Sequence, residues 1–463
     1  MEPSEITNFG SGGESNLSLL GMSILLCLLV AMFFVSRRNL IVPFLFVSVL
    51  VPIQQQLVVL GVHLPALRLA ILTAWAVCLL TRKGQSEFLA SGWQRGDSVF
   101  LAWSLVSGIA FVVLWRTPGS LVFAAGLVYN SLGIYFLVRH LMRDRSSVLR
   151  MLRTLAYLVI LIAAVMVVEQ LTSHNPFSIL GATVLDEIRF GRVRSQGPFL
   201  HSLIAGTVGG ILLPVFVSLW YWKKMRWLAV ISAAAALSMA ITASGSTPFS
   251  AALAGFFALC LWGLRDHMRL VRWAAVALAV SLHMVMKAPV WALVGRFAAI
   301  GGSSGYHRFE LIDQSINHFS EWWMVGTTHN GEWGWDMWDK ADWYVASALN
   351  GGLASLVLFV SVIGVTFYCA GKGRRRYAGD PDMQRFMWAI GSAVFAGAVA
   401  FIGINLWDQS LVIWYGLIAL TVSCSTGILA KRNPRTRPLR KRPDHIAISA
   451  DFQENSETEF ALR

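Results

Sequence analysis

Thirteen long apolar runs follow one another along this sequence of 463 residues. A helix needs about 20 mainly apolar residues to cross the hydrocarbon core of a bilayer, and most of the runs approach that length. Only 14% of the residues are charged, against about 25% in ordinary soluble domains. The sequence therefore predicts an all-α polytopic membrane protein with about 12 or 13 transmembrane helices. We place the spans at 17–36, 40–60, 66–81, 98–115, 119–138, 150–171, 198–222, 226–242, 248–264, 272–288, 343–369, 386–404 and 409–430.

The basic residues indicate which segments face the cytoplasm. With the C-terminus inside, 29 of the 38 Lys and Arg residues fall on the cytoplasmic side and nine on the other. This bias follows the positive-inside rule, so the net charge of +13 reflects topology and does not predict a nucleic-acid partner. Acidic residues precede the first run and Arg37 and Arg38 follow it, which is the reverse of a cleavable signal peptide. We therefore expect the N-terminus outside and the C-terminus in the cytoplasm.

Composition divides the chain into five parts. Their predicted identities are an external N-terminal tail at 1–16, transmembrane helices at 17–288 with an external loop at 172–197, a large external Trp-rich loop at 289–342, transmembrane helices at 343–430, and a basic, disordered cytoplasmic tail at 431–463. All five cysteines lie inside apolar runs, so neither a disulfide framework nor a C-x-x-C zinc site is predicted.

The two external loops carry the unusual polar residues. Loop 172–197 has three arginines within six residues, although cations on the translocated side run against the topological bias. Arginine forks suit phosphate and diphosphate, because they donate paired, charge-assisted hydrogen bonds. Six tryptophans lie between Trp322 and Trp343. Five of them are in loop 289–342, and the sixth follows it directly. We favour a membrane-interface role for these tryptophans over sugar stacking, and we expect short amphipathic helices there.

Several residues of these regions offer acid–base chemistry. The large loop contains three histidines, His307, His318 and His329, and seven carboxylates that include Asp336 and Asp339. Glu169, near the outer end of its span, is either functional, or extends its carboxylate to the membrane interface, or pairs with a neighbouring arginine, and these alternatives remain open. No H-E-x-x-H spacing, Walker A loop or dinucleotide fingerprint occurs, so no metal and no cofactor is predicted.

Three segments separated by apolar spans resemble a known family. They are RVRSQGPFLHSLIAG at 192–206, YHRFELID at 306–313 and DWYVASALNGGLASLVLF at 342–359. Their order and placement are similar to those of the O-antigen ligase and O-antigen polymerase superfamily, and in particular to its exopolysaccharide-biosynthesis, O-antigen ligase-like members. The likeness covers roughly 52–367.

The resemblance implies a bacterial inner-membrane glycosyltransferase with its active face in the periplasm. The donor would be an undecaprenyl-diphosphate-linked glycan and the acceptor a glycan or a lipid, and polysaccharide export or chain-length proteins are possible partners. Transfer in this family inverts the anomeric carbon without a metal. Arginines hold the diphosphate, and a histidine is the proposed base. Neutralising a diphosphate in this way lowers the barrier to its departure.

The resemblance assigns roles to individual residues. Arg194, with Gly197, occupies the family's R-x-x-G position, and Arg308 matches the arginine ahead of the large loop. Both are predicted to bind the diphosphate, and the further phosphate candidates are Arg192 and Arg68. Arg68 is equally well explained as an exception to the charge bias. His201 either hydrogen-bonds a substrate or caps the following helix.

Two departures from the family pattern affect the predicted base. Family members carry T-x-S-R where this chain has glycine at 245, and their His-Asn pair lies nine residues before a glycine. In that register this chain has Ala341 and Asp342, while its own His329-Asn330 pair lies 12 residues earlier. We therefore rank His329 ahead of Asp339 as the base, with Asp342 as a further carboxylate.

Two other classes of function compete with a transferase. A transporter of lipid-linked oligosaccharides would bind the same diphosphate but break no bond, and it would place charges or broken helices at the midplane. The alternative is a non-catalytic subunit of a polysaccharide export complex. Because the unusual polar residues lie on one predicted face, the enzyme is favoured.

Overall fold

Helices account for almost all regular structure in this protein. The computed structural model describes residues 17–59, 62–81, 88–183, 188–189, 191–299 and 305–429. It is 76% helical with almost no strand. The helices are α1 Leu19–Phe34, α2 Ile41–Leu50, α3 Ala66–Leu80, α4 Arg95–Trp115, α5 Pro118–Leu141, α6 Arg145–Thr172, α7 Ser202–Ser218, α8 Arg226–Thr242, α9 Ser246–Cys260, α10 Met268–Val285, α11 Ala292–Ala299, α12 Gly305–Asn317, α13 Phe319–Trp322, α14 Trp343–Arg376, α15 Pro381–Ala400 and α16 Gln409–Cys424.

Each of the thirteen predicted spans overlaps one of these helices. In the described part of the chain, eight helices are long and apolar enough to cross a membrane, and α1, α3 and α16 are shorter apolar helices. The prediction of an all-α polytopic membrane protein is confirmed.

The second predicted span, 40–60, is wrong in its extent. Its helix, α2, ends at Leu50, and an antiparallel hairpin follows, formed by β1 (Gln56–Val59) and β2 (Val62–Pro65). The reason is Pro52, which disfavours a helical conformation at the residue before it, and Val51 is accordingly extended. The only other strands in the described residues are β3 (Ile188–Arg189) and β4 (Arg192–Val193), which pair in the 172–197 loop.

The centre of the bundle is α7, which packs against α8, α9 and α15. Small residues make this packing close. A Cβ built on Gly206 would lie 2.5 Å from the Cβ of Ala243, and one on Gly209 would lie 2.5 Å from the carbonyl oxygen of Ala236. Such contacts let neighbouring helix backbones approach closely. As a result, the turn that follows α8 lies beside the first residues of α7.

The predicted loop 289–342 is largely structured. It contains α11, α12 and α13, and a small hydrophobic core joins it to α14. Leu311, Trp322 and Met337 pack there against Val345 and Leu349. This core holds the loop against the beginning of α14.

α14 is interrupted at Gly352, whose φ of 69° and ψ of −174° are not helical. The loop supplies hydrogen bonds at the interruption. The Thr327 N–H donates to the Leu349 carbonyl at 2.9 Å, and the Leu353 N–H donates to the Trp323 carbonyl at 2.8 Å. Backbone groups released from the helix are thus paired with the loop.

A buried ion pair lies near the far end of α14. Arg139 on α5 donates to Asp97 on α4 at 2.7 Å, and Tyr135 donates to the same carboxylate. Lys372, late in α14, donates to Gln94 at the start of α4. At 1.5 Å rise per residue, roughly 40 Å of α14 separate this end of the bundle from the loop.

Candidate functional site

Arg308, a predicted diphosphate ligand, is fixed where α8 joins α9. We call residues 243–247 the 243–247 turn, and it includes the first two residues of α9. Its Nη1 donates to Ser246 Oγ at 3.2 Å, and its Nη2 donates to Thr247 Oγ1 at 3.0 Å. The side chain is buried, and a Cβ on Gly403 would come within 3.0 Å of the guanidinium carbon. These hydroxyls are neutral, so the two bonds orient the guanidinium without cancelling its charge.

Arg194, the second predicted diphosphate ligand, contacts the same 243–247 turn. It precedes the turn in the sequence, whereas Arg308 follows it. It follows β4, and its Nε donates to the Ala243 carbonyl at 3.3 Å. Its Nη2 lies 3.6 Å from the position that a Cβ on Gly245 would occupy. Two arginines from distant parts of the chain therefore converge on one turn.

Glu169 holds the segment that carries Arg194. Its carboxylate is buried and accepts hydrogen bonds from the backbone N–H of Gln196, at 3.2 Å, and of Gly197, at 2.9 Å. Gly197 has a φ of 58°, a conformation that glycine adopts without strain. The structure thus gives Glu169 a positioning role through backbone amides, and no arginine side chain among the described residues is paired with it.

His201 caps α7 close to this turn. Its Nδ1 accepts a hydrogen bond from the Leu203 N–H at 3.0 Å. An accepting Nδ1 indicates the tautomer with hydrogen on Nε2. The capping alternative raised from the sequence is therefore realised, and Nε2 is a donor in this state.

A histidine and two carboxylates lie next to Arg308. His307, Asp336 and Asp339 bring one possible ligand atom each to within 4.8 Å of the others, so this trio could hold a metal ion. Burial raises the pKa of the Asp339 carboxyl, whereas the nearby His307, Arg308 and His201 oppose this rise. The predicted base candidate Asp339 therefore shares its surroundings with the predicted phosphate ligand.

Asp342, the other carboxylate considered from the sequence, is the N-cap of α14. Its Oδ1 accepts from the backbone N–H of Tyr344 at 2.7 Å and of Val345 at 3.0 Å. Burial raises the pKa of Asp342 to about 7, although these hydrogen bonds and Arg308 work against the increase. The residue fixes the start of α14 directly beside the trio.

The structure places His329 and Arg192 elsewhere. The His329 side chain is 70% exposed, and its Nδ1 lies 3.2 Å from Glu332 on a short 3-10 turn. Arg192 is exposed on β4. The ranking of His329 above Asp339 remains a prediction, but its position gives it no described contact with Arg308 or Asp339.

Arg68 lines a cavity of about 470 Å³ between α3, α4, α5, α14 and α16. Its Nη1 donates to the His63 carbonyl at 2.7 Å. Asp408 and Asn350 line the same cavity, and Lys340 donates to Asn350 at 2.9 Å. Burial raises the pKa of Asp408 to about 7, although Arg68 opposes the rise. Arg68 thus belongs to this cavity, while Arg194 and Arg308 belong to the turn.

His307 and Asp336 are among the loop residues that offer acid–base chemistry, but the sequence did not single them out as site residues. A helical reading of 305–317 would have found His307, because it shares a buried face with Arg308, Leu311 and Ser315. Asp336 has no comparable signal, since it lies between short irregular segments of a Trp-rich loop.

No family model matches the chain, and no curated protein matches it. The resemblance to the O-antigen ligase and polymerase superfamily therefore remains a prediction, carried by the three sequence segments alone.

Proposed function

We propose that this protein is a glycosyltransferase of the bacterial inner membrane, which polymerises or ligates polysaccharide at the periplasmic face. Its donor is an undecaprenyl-diphosphate-linked glycan, and its acceptor is a glycan or a lipid. The observation that carries the proposal is the convergence of Arg194 and Arg308 on the 243–247 turn.

The chemistry of the donor explains why two fixed arginines are useful. The acceptor oxygen attacks the anomeric carbon, and the bond from that carbon to the diphosphate breaks with inversion. The diphosphate leaves with the electron pair, so negative charge develops at the leaving group. Guanidinium groups already oriented at this position stabilise that charge without reorganising.

The acceptor hydroxyl must also lose its proton. Among the predicted groups, Asp339 shares its surroundings with Arg308, whereas His329 lies exposed beside Glu332. We therefore propose that acceptor activation takes place at the trio that contains Asp339 rather than at His329. Placing both substrates at one end of the bundle would supply part of the rate enhancement by proximity.

The transporter alternative has one observation in its favour, the interruption of α14 at Gly352. Broken helices form substrate sites in many transporters. Here, however, the interruption exchanges backbone hydrogen bonds with the loop that contains Trp323 and Thr327. It thus fastens the loop to the bundle, which favours the transferase.

The test is reconstitution in liposomes with purified undecaprenyl-diphosphate oligosaccharide as the donor. The readouts are release of undecaprenyl diphosphate and the size of the glycan, which separates polymerase from ligase. We expect Arg194→Ala and Arg308→Ala each to lower release at least tenfold, because each removes one charge from the leaving-group site. Arg116→Ala is the matched control, since Arg116 is an exposed arginine at the end of α4 that is predicted to face the same side.

Normal release from both variants at normal protein levels would exclude the proposed site. Specific binding of the donor by folded protein, without any release, would instead support the transporter or the non-catalytic subunit.

A further inference from the structure

His307 is a buried imidazole whose ring nitrogens lack a described partner. Its side chain is 7% exposed, and neither Nδ1 nor Nε2 has a hydrogen-bond partner among the described residues. Buried polar atoms in native proteins almost always bind a protein group, a water or an ion. We propose that His307, Asp336 and Asp339 together bind one divalent transition-metal cation.

The distances within the trio fit a shared ion better than a direct hydrogen bond. His307 Nε2 lies 3.7 Å from Asp339 Oδ2, which is too long for a hydrogen bond. Ligand atoms that each lie about 2.1 Å from one ion are about 3 to 4.2 Å apart, and this distance falls within that range. Asp336 completes a set whose ligand atoms all lie within 4.8 Å of one another. If these three ligand atoms moved about 1 Å closer together, all of them would reach bonding distance of one ion.

The donor set indicates the class of cation. One imidazole nitrogen and two carboxylate oxygens suit Mn²⁺, Fe²⁺ or Zn²⁺, whereas Ca²⁺ and Mg²⁺ prefer oxygen ligands throughout. Two carboxylates also balance a divalent charge. Three protein ligands leave coordination positions open, which is typical of catalytic and not of structural sites.

The position of the trio suggests what the cation does, and this role rests on the proposed function. His307 precedes Arg308 in α12, and Asp339 lies within electrostatic reach of Arg308 and His201. A cation there would polarise an acceptor hydroxyl or a diphosphate oxygen next to the arginines. This inference departs from the metal-independent transfer that the family resemblance implies.

Binding is tested with Mn²⁺ alone, by electron paramagnetic resonance on the purified full-length protein in detergent after removal of metals. We expect one Mn²⁺ per chain, displaced by Zn²⁺. Asp336→Asn and Asp339→Asn should each weaken binding at least tenfold, because each removes a ligand. Glu321→Gln is the matched control, since Glu321 is a half-exposed carboxylate 2.6 Å from His318 in the same loop.

A second measurement separates ligand loss from misfolding. Mn²⁺ should raise the melting temperature of the parent and of Glu321→Gln, but not that of Asp339→Asn, because only proteins that bind the ion gain stability from it. His307→Gln provides a third variant with the same expected loss. The inference is overturned if the parent does not bind Mn²⁺ or Zn²⁺, or if the three ligand variants bind as the parent does. Neither measurement contains a glycan donor, so failure here leaves the arginine test unaffected.

Discussion

Arg139 and Arg308 are both buried arginines, and they lie at opposite ends of α14. Arg139 meets a carboxylate, because its Nε and Nη2 donate to the two oxygens of Asp97 at 2.7 and 2.8 Å, and both side chains are 0% exposed. Arg308 donates instead to hydroxyl oxygens of the 243–247 turn. One arrangement is a bidentate ion pair, and the other includes hydrogen bonds to two neutral hydroxyls.

This difference separates an arginine that stabilises the bundle from one that suits an anionic ligand. The Asp97 carboxylate occupies the fork of Arg139, and this pair joins α4 to α5 while Ser423 of α16 accepts a further bond. The two hydroxyls that Arg308 contacts carry no charge, although the carboxyls of Asp339 and Asp342 lie within its electrostatic reach. A diphosphate oxygen beside it would gain charge-assisted hydrogen bonds that Arg139 can no longer offer.

The largest effect is expected from opening the closed pair. Asp97→Ala leaves Arg139 as an uncompensated buried charge, which costs about 3 to 5 kcal/mol in proteins. Thermal unfolding in detergent should show a large loss of stability. Asp266→Ala is the control, because it removes an exposed carboxylate paired with Arg374 at 3.0 Å and should change the melting temperature little. Equal effects of the two substitutions would show that the buried pair does not hold the helices together.

Arg308→Ala should lower activity strongly and stability less than Asp97→Ala does. Removing one preorganised donor to developing charge typically costs about 10²- to 10³-fold in rate. We expect donor turnover in liposomes to fall by that factor, while the melting temperature falls less than in Asp97→Ala. A stability loss as large as that of Asp97→Ala would mean that Arg308 is a structural residue like Arg139.

The backbone of α14 is interrupted near the loop, at Gly352, and a substitution there tests what the interruption contributes to stability. Its φ and ψ are accessible almost only to glycine, and a Cβ there would collide with the Met324 carbonyl. Gly352→Ala should therefore cost on the order of 1 to 3 kcal/mol. Gly364→Ala lies in the same helix with no atom within 4 Å of the added Cβ, so it should be neutral or slightly stabilising. A harmless Gly352→Ala would indicate that the loop is not fastened to α14 at this point.

The sequence predicted the helices well, because length and apolarity are local properties. Its error at the second span came from reading apolar residues without the conformational restriction that Pro52 imposes on Val51. Two helices also extend beyond the predicted spans: α14 continues to Arg376, and α15 begins at Pro381 with Asp380 as its cap. Charged residues extend such helices beyond their apolar runs, and hydropathy does not detect them.

The site was only partly accessible from sequence. Arg194 and Arg308 stood out because cations on the predicted outer side run against the topological bias. That they meet at one turn depends on the close packing of α7 and α8, which no local pattern reveals. Whether His329 or Asp339 lies beside Arg308 depends on the path of the loop between them, and sequence spacing does not determine that path.

The smallest expected effect concerns Asp408, a carboxyl that lines the same cavity as Arg68. Burial raises the pKa of Asp408 to about 7, whereas an unfolded aspartate titrates near 3.9. Between these values the folded protein retains a proton that the unfolded chain has lost, so stability falls as pH rises from about 4 to about 7 and then stays level. Because the side chain lines a cavity, we expect a contribution of only about 1 kcal/mol between pH 5.5 and 7.5.

Asp408→Asn should remove this contribution, since the amide does not titrate. The check is the melting temperature of both proteins at pH 5.5, 6.5, 7.5 and 8.5. The parent should lose stability relative to the variant up to pH 7.5, and the difference should then remain constant. Other titrating groups, Asp342 included, are present in both proteins and cancel in the comparison. A difference independent of pH would mean that Asp408 is ionised throughout this range and that Arg68 outweighs its burial.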